Sequence, residues 1–132
     1  MPIARQIEVW MTVAFLFYLA AFFLARKAWH THIILAVCGF IADMYATWLM
    51  VGMSGSGTSF WTISHGLQFH TLMAFVAIIA FLLQAGLGLR LMSTNDIITC
   101  AKYWKYHTRS AKYVFLPIWV LTYGSGFALA FH

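Results

Sequence analysis

An acid stands inside a long apolar run at Asp43 (IADMYATWLM, residues 41–50), and His65, Gln68 and His70 open another (SHGLQFHTLMAF, 64–75). Only three acidic residues occur in 132. An ionisable side chain at the centre of a membrane helix costs about 2.5–3.5 kcal/mol on insertion scales, so each such residue is a functional-site hypothesis. Asp43 and His70 together could share a proton or hold a metal ion, with Gln84 as a further hydrogen-bonding group. Met50 would add a thioether, and His, carboxylate and thioether suit copper or iron. The alternative is an Asp–His hydrogen bond that locks two helices and carries no chemistry.

A second set of histidines, His30, His32 and His107, belongs to the opposite end of the spans. Two imidazoles from different helices at one depth are what axial ligation of a b-type haem requires. His32 and His107 are the candidates, and Gly39 and Gly88 would give clearance to a flat macrocycle. No HExxH, GxSxG or phosphate loop occurs, and GLGLR (86–90) follows no strand. Acyl and phosphoryl transfer are therefore not expected, nor is a stand-alone catalytic activity.

The elements that must position these residues follow from composition. Apolar residues make up 63% of the chain and charged residues 8%, against roughly a quarter charged in soluble domains. The reading is an integral membrane protein in contact with the lipid bilayer. The length allows about four spans of about 20 residues in a single domain, 1–132. Cys38 and Cys100 are far apart and suggest neither a disulfide nor a zinc knuckle. The start, MPIARQIEVW, lacks the pattern of a cleaved signal, so the first apolar run is expected to be retained. The net charge of +5 does not point to nucleic acid. Arg26, Lys27, Arg90, Lys102, Lys105, Arg109 and Lys112 fall in two regions, which the cytoplasmic excess of Lys and Arg explains.

Helices are predicted at about 7–26, 30–53, 60–90 and 110–131, with a Gly/Ser turn at 53–59 and a cytoplasmic polar loop at about 91–109. The fold is then an all-α, antiparallel, up-down four-helix bundle in the cell's inner membrane, with both termini on the outer side. Pro117 should kink the last helix or free a carbonyl.

Helical spacing supplies the faces. In the second helix His32, Ala36, Gly39, Asp43, Ala46 and Met50 share a small, polar stripe, opposite Ile34, Ile41, Tyr45 and Trp48. In the third, Gly66, His70, Ala74, Ala77, Phe81, Gln84 and Gly88 share one, and in the fourth His107, Ala111, Ile118, Thr122 and Gly126. Small residues allow close backbone approach, so the stripes should pack on other helices and the large backs should face lipid. At about 1.5 Å rise per residue, Asp43 and His70 would be offset by only about 4–6 Å along the membrane normal.

WHTHIILAVCGF, FHTLMAFVAIIAFLL and KYHTRSAKYVFLPIWVLTYGSGFALAF resemble a four-helix, histidine-bearing membrane family of unknown function that accompanies haem–copper oxidases. The likeness covers about residues 28–131. It implies that His32, His70 and His107 are family histidines, and that the partners are other membrane subunits of a redox complex. Two departures stand out. The family shows His-Arg where this chain has HTH, and often a histidine near the outer end of the second helix, where this chain has Asp43 and Met50. The expected role is a small subunit of a respiratory complex that ligates haem b, copper or iron and supports electron transfer. Its alternatives are a cofactor-free assembly or structural subunit, and a proton-conducting element built on Asp43 and His70.

Overall fold

The structure is a computed structural model that describes residues 2–54, 61 and 63–130. No strand occurs among them. The elements are α1 (Ile3–Leu24), α2 (Trp29–Ser54), α3 (His65–Ser93), α4 (Ile97–Ser110), a π turn (Ala111–Phe115) and α5 (Leu116–Ala130). Helices α1, α2 and α3 are long and apolar enough to cross a membrane, so the chain is a membrane protein. Most of the predicted Gly/Ser turn, residues 55–59, lies outside the described residues.

The described helices fall into two compact units, α1 with α2 and α3 with the helix running from Ile97 to Leu129. In the first unit the contact is made by small residues. Ala14, Ala21, Ala42 and Ala46 are all buried, and Gly39 lies against the Tyr18 ring of α1. Apolar side chains gain little by leaving lipid for protein, so helix association there depends on close packing and hydrogen bonds. The predicted back of α2 is the exposed one: Ile34, Ile41, Tyr45 and Trp48 are all exposed, with the Tyr45 ring 5.1 Å from that of Trp10 on α1.

In the second unit the predicted stripe of α3 is the packing face. His70 and Ala77 are buried, the Phe81 and Phe115 rings lie 6.0 Å apart, and Gly66 faces Leu129. The helix starts with Ser64 as its cap, whose hydroxyl accepts from the Leu67 N–H.

The segment predicted as a polar loop at 91–109 is mostly helix. Only Thr94, Asn95 and Asp96 separate α3 from α4. Asp96 caps α4 by accepting from the Thr99 N–H at 2.9 Å, which satisfies an orphan donor of the first turn. The mean polarity of this stretch hid its helical period, because cations and aromatics alternate on two faces.

α4 runs on into α5 through the π turn. The Leu116 N–H reaches five residues back to the Ala111 carbonyl. Pro117 follows at once; its ring has no N–H and would crowd the carbonyl four residues before it. A wide turn with one extra residue accommodates both problems without ending the helix. The distortion predicted at this proline is therefore present as a π turn.

Candidate functional site

The polar residues singled out from the sequence divide between the two units. Each histidine of the expected ligand sets is engaged with a neighbouring helix of its own unit.

His32 sits in the first turn of α2, half-buried, with its Nδ1 2.8 Å from the Ala21 carbonyl of α1. A carbonyl only accepts, so Nδ1 carries the proton and donates. Ala21 lies in the last turn of α1, where carbonyls lack helical partners. The imidazole therefore caps that helix end, as cationic and imidazole side chains do near C-termini. This tautomer puts the ring's lone pair on Nε2.

His107 has the opposite arrangement. The Gln84 side-chain nitrogen donates to the His107 carbonyl at 2.8 Å and lies 3.0 Å from its Nδ1. The carbonyl fixes which end of the amide is NH2, so Nδ1 must accept and the ring proton sits on Nε2. Ser110 completes the set by donating to Gln84 Oε1 at 2.5 Å. Gln84 thus uses both amide hydrogens and its oxygen to tie α3 to α4, and His107 is buried by it.

That tautomer does not fit the axial role expected for His107, because an iron needs the lone pair that Nε2 here lacks. The two glycines each have a protein ring beside them. A Cβ at Gly39 would stand 3.0 Å from the Tyr18 ring, and one at Gly88 would stand 3.5 Å from His107 Cε1. The room beside Gly39 is taken by α1, and that beside Gly88 by the imidazole edge itself.

His70 is buried between α3 and α5. Ser125 donates to the Thr122 carbonyl at 2.9 Å, so its oxygen is left to accept from His70 Nδ1 at 3.0 Å. Thr122 in turn donates to the Ile118 carbonyl. His70 therefore also carries its lone pair on Nε2.

Asp43 lies half-buried on α2, close enough to the Tyr18 hydroxyl to act on it electrostatically. Its backbone carbonyl accepts from Thr47 at 2.9 Å. Met50 is half-buried two turns further along α2. Asp43 and Met50 belong to the first unit and His70 to the second. Among the described residues, no three His, Cys, Asp or Glu side chains gather as a metal-binding group.

Three residues of these networks escaped the sequence reading: Tyr18, Ser110 and Ser125. Ser125 did carry a signal, a hydroxyl between two glycines (Gly124, Gly126) in an apolar run. Ser110 stands one turn after His107. Tyr18 had none, since an aromatic in an apolar helix looks the same whether it faces lipid or a glycine.

Outside the spans, the Asp96 carboxyl is held below its ordinary pKa by hydrogen bonds from the Thr99 hydroxyl and N–H. No family model matches the chain, and neither curated proteins nor solved structures give a match.

Proposed function

We propose that the chain is an accessory membrane subunit whose histidines are interhelical locks and whose work is done by association with a larger redox membrane complex. The observation that carries the first part is the Gln84–His107–Ser110 network, which consumes the hydrogen-bonding capacity of Gln84 and fixes His107 in a form that donates from Nε2. His32 and His70 likewise spend Nδ1 on bonds between helices. Large exposed apolar side chains on α2 and α3, such as Trp48 and Phe75, suit neighbouring subunits as well as lipid. The redox partner rests on the resemblance alone.

In this reading the chain has four spans in the inner membrane, with both termini outside. The π turn and α5 together provide twenty residues for the fourth, about the length a bilayer core requires. The basic residues after α1 and α3 would then face the cytoplasm.

A second reading, ligation of haem b, copper or iron, is favoured by one feature. His32 and His70 both donate from Nδ1, the arrangement that orients a metal-binding imidazole from behind.

The reduced-minus-oxidised absorption spectrum and the metal content of the purified protein separate the two. The lock reading expects no haem band and no stoichiometric metal. A b-type band that His32→Ala removes, or a bound metal that His70→Ala removes, would reverse the order.

A further inference from the structure

Four cations, Lys102, Lys105, Arg109 and Lys112, lie on one side of the helix that begins at Ile97. At helical spacing they occupy roughly a quarter of its circumference, and all four are exposed. His107, the buried anchor onto α3, points the opposite way. No acidic residue occurs within α4. Asp96, at its start, is already engaged with Thr99.

The level of this stripe along α3 follows from two contacts. Gln84 and Gly88 both meet His107. Twenty residues from Phe69 to Gly88, apolar except for His70, Thr71 and Gln84, give a length sufficient for a bilayer core. His107 therefore marks the edge of the hydrocarbon. At 1.5 Å per residue Lys105 and Lys102 stand about 3 and 8 Å outward of that edge, within the roughly 5–8 Å of one headgroup layer. Arg109 and Lys112 start about 3 and 8 Å inward of it, and their long side chains reach back to the interface. Tyr106 and Tyr113 flank the cations and are exposed, as aromatics at a membrane interface are. Lys112 lies over the Tyr113 ring, 5.2 Å from its centroid.

We infer that this face is a binding site for anionic phospholipid, with the four cations contacting headgroup phosphate while the exposed tyrosines pack on the upper acyl chain. The charge is of one sign, is not neutralised within its own helix, and lies within side-chain reach of the phosphate layer. The site depends on α3 crossing the bilayer and is independent of what the histidines do.

Full-length protein in neutral detergent micelles is titrated with a fluorescent phosphatidylglycerol, then competed with unlabelled phosphatidylglycerol, phosphatidylcholine, inorganic phosphate or an acidic peptide. Phosphatidylglycerol alone should compete. Lys105→Gln or Arg109→Gln should each weaken binding about fivefold, equivalent to about 1 kcal/mol per cation. The variant K102Q/K105Q/R109Q/K112Q should lose about a hundredfold or more, whereas K102R/K105R/K112R should stay within about twofold of wild type. For wild type, raising salt from about 0.05 to 0.5 M should also weaken binding about tenfold, because screening shortens the reach of exposed charges. The inference is overturned by equal competition from phosphatidylcholine, phosphate or the acidic peptide, by a quadruple variant that binds as wild type does, or by indifference to salt. The salt series needs no variant, so misfolding of a mutant leaves it decisive.

Discussion

Between α1 and α2 the closest approach is made by what is missing, a side chain at Gly39 and bulk at Ala14, Ala42 and Ala46. Between α3 and the helix from Ile97 it is made by hydrogen bonds, Gln84 to His107 and His70 to Ser125. Both devices answer the same lack of a hydrophobic drive between helices in lipid. They differ in what they demand. Backbone approach tolerates no added atom, whereas a polar lock tolerates added bulk nearby but no missing partner.

The largest effect should come from filling the tight contact. At Gly39 even a methyl group would press on the Tyr18 ring, so Gly39→Leu should cost about 3 kcal/mol, at the upper end for overpacking. Reversible unfolding in mixed micelles would measure it. A change below about 0.5 kcal/mol would mean that α1 and α2 do not pack as described.

Next is the amide. Gln84→Leu strips both donors from His107 and the acceptor from Ser110, and should destabilise by about 1–3 kcal/mol. Adding Ser110→Ala to it should cost little more, since the two act in one network. Additive losses in that double-mutant cycle would show that Ser110 and Gln84 are uncoupled.

Ser125→Ala should cost less, about 0.6 kcal/mol, the average for hydrogen bonds between membrane helices. His70 keeps its place by packing, and the comparison is sharpened if Gly39→Ala exceeds Ser125→Ala in the same assay.

The smallest effect concerns the start of α4. The Asp96 carboxyl is held below its ordinary pKa, so its ionised form is the one that caps. Its contribution is fully present above the ordinary aspartate value of about 3.9 and is lost as pH falls through the depressed value. Amide exchange at Thr99 should rise over that window, after correction for intrinsic rates, and Asp96→Ala should abolish the step.

Much of the architecture was legible because its causes are local. Spans follow from runs of apolar residues, and faces follow from spacing, which is why the stripe of α2 and its exposed back agree with the structure. The helix at 97–110 was not legible from average hydropathy, since its cations and aromatics cancel; the Asp96 cap three residues before Thr99 was the sign that could have revealed it. What approaches Gly39 and Gly88 was not legible for a different reason. A glycine in a stripe announces that something approaches closely, but spacing does not say what.

The sequence by itself determined a membrane-spanning helical chain whose few polar side chains lie on the same faces as its small residues, because the cost of exposing them to lipid acts on each helix separately. Only the tertiary structure decided which neighbour each one meets. It assigned opposite tautomers to His32 and His107, because a proton's place on an imidazole is set by whether the facing atom donates or accepts, and that atom comes from another helix.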